Sequence, residues 1–116
     1  MTTDEAIKIF AEIDACLPLM RAKLRATHLG KSVDWTATFF SGELESNGRA
    51  FVALRHEASN KMLLASVKLD DHAWLLSCPR GEEVQVQGRI AKISALTIDL
   101  KTVRLTRVAL QLTGEA

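Results

Sequence analysis

Pro79-Arg80-Gly81-Glu82-Glu83-Val84-Gln85-Val86-Gln87-Gly88-Arg89-Ile90 carries three signals in one stretch. Pro79 to Glu82 reads as a turn, with Gly81 supplying the backbone freedom a tight reversal needs. From Glu83 onward valine and glutamine alternate. That is the period of a strand with Val84 and Val86 facing a core and Gln85 and Gln87 facing out. Gly88 then interrupts the strand, and a glycine there lets it coil sharply where a small barrel closes. The strand is expected to run from Glu83 to Ile93.

Upstream, the same period of two begins after Gly30. Val33, Trp35, Ala37 and Phe39 alternate with Asp34, Thr36 and Thr38, so Trp35 and Phe39 are expected in the core. Ser41-Gly42 is expected to bend the end of this strand, and Asn47-Gly48 is a turn signal. Arg49 to His56 reads as a second strand, with Val52 and Leu54 on one face and Phe51, Ala53 and Arg55 on the other. Ala58 to Lys61 reads as a turn, Met62 to Leu69 as a third strand, and Asp70 to Leu76 as a short helical link with acids at its start. Downstream, Leu96, Ile98 and Leu100 alternate, then Val103 and Leu105 continue one step out of phase. A slip of that kind predicts a bulge or tight bend near Thr102.

The N-terminal segment has a different period. Thr2 and Glu5 fit a capping box, and Ile7, Phe10, Ile13, Leu17, Met20 and Leu24 recur at three or four residues, predicting helix over 3–25. Pro18 removes a hydrogen bond and clashes with the preceding turn, so a kink or a break into two helices is expected. Such a stripe is too apolar for a free helix. It either caps the open end of the barrel or pairs with another chain, which would make a homodimer through this helix. The expected organisation is mainly β with an N-terminal helix: a helical arm over 1–29 and a small five-stranded antiparallel barrel over 30–116, together one domain.

With 116 residues, 47% of them hydrophobic and 25% charged, the chain has the composition of a globular domain with one core. Fifteen Lys and Arg against fourteen Asp and Glu leave a net charge of +1, which excludes a strongly basic nucleic-acid coat and an acidic mimic of nucleic acid. Cys16 and Cys78 are too few and too far apart for a disulfide framework. No apolar run is long enough to span a bilayer, and Asp4 and Glu5 stand where a secretory signal would carry basic residues. A cytoplasmic protein with free thiols and no membrane contact is expected.

Chemistry-bearing patterns are sparse. The glycines form no phosphate-cradling loop, and there is no Gly-x-Ser-x-Gly elbow. His28, His56 and His72 are dispersed and Cys-x-x-Cys is absent, so neither a metal nor another cofactor is expected. Cys78 reads as a small buried hydrophobe before it reads as a nucleophile. Asp70-Asp71 and Glu82-Glu83 read as solvated carboxylates. No catalytic residue is assigned, and a non-enzymatic protein is expected.

Residues 30–110, through Gly30-Lys31 and the stretch Pro79 to Ile90, resemble oligonucleotide/oligosaccharide-binding (OB) folds, and more narrowly the bacterial tRNA anticodon-binding-like OB domains. The resemblance implies an OB-like barrel whose ligand face is built on strands 2 and 3 and the loops joining strands 1–2 and 4–5. Charge is compatible with that. Residues 1–14 hold four acids and one base, while Arg89, Lys92, Lys101, Arg104 and Arg107 face only Asp99 within 89–107. The expected nucleic-acid-binding residues are Arg49, Phe51, Arg55, Lys61, Lys68, Arg89 and Lys92, with Met62, Ser66 and Ser94 nearby. Phe51 is the one aromatic among them, in a chain with no tyrosine, and reads as core before it reads as a stacking platform. Two functions follow: a module that binds single-stranded DNA or RNA, favoured by the fold and the basic edges, or a protein-interaction module acting as adaptor or inhibitor, favoured by the near-neutral charge and scarce aromatics.

Overall fold

The structure, a computed structural model, describes residues 1–108; the last part of the expected barrel segment, 109–116, lies outside the described residues. Two helices precede the sheet: α1 (Thr3–Ala15) and α2 (Pro18–Thr27). The Thr2 side chain accepts from the Glu5 backbone N–H, the first half of the capping box, while the Glu5 carboxylate accepts from the Thr2 hydroxyl in place of the Thr2 N–H. Pro18 breaks the helix rather than kinking it, and takes the first position of α2, where its missing N–H costs nothing.

This break overturns the single apolar stripe. Ala6, Phe10 and Ile13 are buried, but Ile7 is 40%, Leu17 73% and Met20 47% exposed. The buried face of α1 runs through Ala6 rather than Ile7. After Pro18 the helix restarts in a new phase, and α2 buries no residue fully. Phe10 meets Trp35 edge-on at 6.1 Å between ring centres, and the Trp35 indole N–H donates to Thr2 O at 3.3 Å, so α1 covers one end of the barrel.

The sheet comprises β1 (Ser32–Leu44), β2 (Arg49–His56), β3 (Lys61–Lys68), β4 (Glu83–Ile93) and β5 (Thr97–Arg107), closed in the order β1-β2-β3-β5-β4. Trp35, Val52, Leu54, Leu63, Val67, Val84, Val86, Ile90 and Ile98 fill it, each no more than 1% exposed. Trp35 and Phe39 are core, as their alternation predicts. The expectation of a wholly antiparallel barrel is corrected at one pair: β3 and β5 run parallel, Met62 opposite Thr97 to Leu64 opposite Asp99. The reason is parity. Strand direction cannot alternate all the way round a ring with an odd number of members.

Three irregularities give the barrel its curvature. β1 does not end at Ser41-Gly42; it continues to Leu44 past an extra residue between Phe39 and Ser41. β4 carries an extra residue between Ile90 and Lys92, so that Ile90 and Ile93 both face inward. The slip read near Thr102 is a bulge on β5: Lys101 opposes Arg89 and Arg104 opposes Gln87, leaving two residues opposite Gly88. Thr102 itself has φ 54°, in the left-handed region that a β-branched residue rarely adopts. Gly88 lies so close to β5 that an added Cβ would stand 3.0 Å from Val103 Cγ2 and 3.1 Å from Lys101 O.

The link between β3 and β4 is two short 3-10 turns, Leu69–Asp71 and Ala73–Ser77, which place Leu75 over the other end of the barrel. His72, between them, is 3% exposed. Its Nε2 accepts the Leu105 N–H at 3.0 Å, so its Nδ1 carries the proton and donates to Lys68 O at 2.8 Å. The ring thereby bolts the end of β3 to β5.

Candidate nucleic-acid interface

The outer face of β2 and β3 is set by the same alternation that fills the core. Ala50, Val52 and Leu54 point in, which turns Arg49, Phe51, Ala53 and Arg55 out. Across the strand pair Arg49 lies opposite Lys68, Phe51 opposite Ser66 and Arg55 opposite Met62. Phe51 is 39% exposed, so the expectation that it belongs to the core is corrected: its ring lies on the outer face with a cation two residues away on either side.

The cations differ in their freedom. Arg49 is half-buried and fixed, its Nε donating to Ser66 Oγ at 2.9 Å and Nη2 to Ser66 O at 2.8 Å. The Ser66 hydroxyl in turn donates to Glu45 Oε1 at 2.6 Å. Arg55 donates to Asn60 Oδ1 at 2.7 Å and lies 3.4 Å from Glu57 Oε2, with both side chains about half or more exposed. Exposed pairs of this kind contribute only about 0–1 kcal/mol, so Arg55 is cheaply redirected to another anion. Lys68 is exposed and has no ion pair among the described residues. Glu43 opposes Phe51 from β1 and places an acid on the same face.

Three expected members do not join this face. Lys61 is 6% exposed. It lies in the inward phase of β3 with Leu63, Ala65 and Val67, one step away from Met62, Ser66 and Lys68. Its ammonium donates to Ala95 O at 2.8 Å, stands 5.3 Å from the Phe10 ring centre and 4.0 Å from Asp14 Oδ2. It anchors α1 and the β4–β5 loop instead of meeting a ligand. Arg89 and Lys92 are exposed but lie on β4, whose neighbours are β1 and β5. Arg89 opposes Ser32 and Lys101, while Lys92 lies beside α2 near Ala22, Arg25 and Leu29. They look away from Phe51.

The structure adds Arg104, which sequence reading placed in the basic run of β5 but not in the site. Arg104 lines a groove of about 410 Å³ with Arg49, Lys68, Asp71, Thr102 and Val103. Its sequence signals are that basic run and the phase slip at Thr102.

Cys78 is unsuited to nucleophilic chemistry. Burial, and then the hydrogen bond from its thiol to Glu82 Oε2 at 2.9 Å, push its pKa up to about 12. Glu82, far from being a solvated turn carboxylate, has a side chain only 9% exposed and is gripped by Arg107 through Nε at 3.2 Å and Nη2 at 2.7 Å. The bonds from Cys78 and Arg107 hold its carboxyl below the usual range. This cluster ties the start of β4 to the end of β5. Among the described residues no three His, Cys, Asp or Glu side chains converge on a metal-sized site.

No family model matches the chain, and no curated protein matches it. A solved structure does: the "putative nucleic acid-binding lipoprotein" of Klebsiella pneumoniae subsp. pneumoniae MGH 78578, with a TM-score of 0.60 and 16% identity over 85% of this chain and 86% of that one. At that identity the likeness is one of fold. With the closed ring of five strands it makes this an OB-like barrel. The narrower anticodon-binding-like resemblance has no further support.

Proposed function

We propose that the chain is a non-enzymatic module that binds single-stranded nucleic acid across the outer face of β2 and β3. The observation that carries this reading is the exposed Phe51 ring between Arg49 and Arg55 on one strand. A ring stacks a base of any sequence while the flanking cations meet phosphates. The likeness to a structure described as nucleic-acid-binding supports it. One stacking ring and few free cations make the expected affinity modest and steeply salt-dependent.

The test is a fluorescence-polarisation titration with labelled single-stranded DNA and RNA at low salt. Phe51→Ala should weaken binding by about 1–3 kcal/mol, roughly fivefold to 150-fold. Reversing Arg49 and Arg55 to Glu should abolish it while the protein stays folded. A flat titration with the wild-type chain rejects the reading. It leaves the protein-interaction alternative, which an apolar groove of about 250 Å³ between Leu44, Leu69 and Leu76 favours.

A further inference from the structure

The groove beside the outer face is made by the departure of β5 from β3. Their parallel pairing stops at Leu64 opposite Asp99. Three residues later Thr102 turns left-handed, and the bulge opposite Gly88 carries β5 away while β3 continues to Lys68. The space left between them, about 410 Å³, is lined by cations from three different strands: Arg49 of β2, Lys68 of β3 and Arg104 of β5. Asp71 is its one acid. Lys68 and Arg104 are exposed and have no ion-pair or side-chain hydrogen-bond partner among the described residues, whereas Arg55, Lys61 and Arg107 each have a hydrogen-bond partner and a carboxylate within ion-pair distance. Arg49 is held in place by Ser66, so its guanidinium is positioned in advance. His72 spends both ring nitrogens on Lys68 O and the Leu105 N–H, which makes it a wall that fixes the groove's width and not a ligand.

Three cations against the single carboxylate of Asp71 leave an excess of positive charge in the groove, and a multiply charged anion relieves it. We infer that this groove binds a phosphate group, with Arg104 and Lys68 as its direct contacts and Arg49 shared with the β2–β3 face. This deepens the nucleic-acid reading and, for the identity of the polymer, rests on it. A strand stacked on Phe51 has its backbone drawn toward β5 past Arg49 and Lys68, and not toward β4, where Arg89 and Lys92 lie on another side of the barrel.

Two measurements separate the groove from the wider reading. In the first, backbone amide shifts are followed as inorganic pyrophosphate is added to the wild-type chain. Saturable shifts at Lys68, Asp71, Thr102 and Arg104, absent in Arg104→Gln, are expected; no shift there overturns the groove. In the second, oligonucleotide affinity is measured against salt for wild type, Arg104→Gln and Arg89→Gln, which remove the same charge from two exposed sites. Arg104→Gln should lower the log–log salt slope by about 0.7, the value of one single-strand phosphate contact, and Arg89→Gln should leave it unchanged. Equal slopes for Arg104→Gln and wild type, with oligonucleotide binding intact, overturn the groove and spare the nucleic-acid reading. Pyrophosphate shifts without any oligonucleotide binding do the reverse: the phosphate site stands and the polymer reading falls.

Discussion

Replacing Gly88 by Ala tests the geometry on which the β4–β5 contact and the Thr102 bulge depend. The added methyl would lie 3.0 Å from Val103 Cγ2 and 3.1 Å from Lys101 O, inside the 3.4 Å at which ordinary contact begins. Val103 is β-branched and stiff about χ1, and the Lys101 oxygen is backbone in a residue paired with Arg89. Neither retreats without lifting β5 from β4. Overpacking of this kind costs about 1–3 kcal/mol. Gly42→Ala is the matched control, because its Cβ would meet nothing closer than Phe39 Cζ at 3.4 Å. The entropic gain of replacing a glycine, about 0.4–1 kcal/mol, applies to both variants and cancels in the comparison. At about 4 °C per kcal/mol for a chain of this size, Gly88→Ala should melt about 4–12 °C below Gly42→Ala by far-UV circular dichroism. Equal melting temperatures would show that β5 does not press on Gly88 and that the bulge lies elsewhere.

Trp35→Ala, at a site 1% exposed, should cost about 3–5 kcal/mol, and an unchanged melting curve would show that the ring is not core. Lys61→Ala should destabilise the fold by about 1–3 kcal/mol through loss of its contacts to Ala95 and Phe10, yet leave oligonucleotide affinity unchanged; weaker binding by a fully folded variant would return Lys61 to the interface. Burial lowers the pKa of His56 below 6.5, so the unfolded chain takes up the proton first as pH falls. The stability contributed by neutral His56 is complete above about pH 6.5 and is lost as pH drops toward the folded value, by up to about 1.4 kcal/mol per pH unit. Denaturant titrations from pH 8 to 5 should show a shallower decline in His56→Leu than in wild type, and identical declines would refute the assignment. Deleting residues 1–28 should lower solubility or melting temperature because it uncovers Trp35 and Lys61; a truncated barrel that is equally stable and monomeric by mass measurement would make the arm a separate element.

Local patterns in the chain translated directly into structure. Val84 and Val86 announced their facing, Gly81 its turn with φ 93°, and the Val103–Leu105 slip its bulge. What failed was anything that needed adjacency in space. Arg89 and Lys92 are close in sequence to the β4–β5 loop, but the ring order sets β4 between β1 and β5, out of reach of β2. Lys61 was misplaced because strand phase starts anew after the turn at Asn60, where φ is 58°, and a lysine carries no sign of facing inward. Phe51 was misjudged for the opposite reason. Its phase, opposite to Val52 and Leu54, already places it outside, and the general preference of aromatic residues for the core points the wrong way at this position.

The single parallel pair has a kinetic meaning as well as a topological one. β1-β2-β3 and β4-β5 are each hairpin-connected, so both sheets assemble from contacts near in sequence. The β3–β5 seam is joined by only three residue pairs, from Met62–Thr97 to Leu64–Asp99, against seven in the β1–β4 seam, from Ser32–Arg89 to Thr38–Glu83. Both seams join segments far apart in sequence and so are slower, entropically dearer steps than the hairpins, and the short one has the least holding it closed. The barrel therefore behaves as two folded flaps with one deep join and one shallow one, and the bolt made by His72 between Lys68 and Leu105 latches the shallow one.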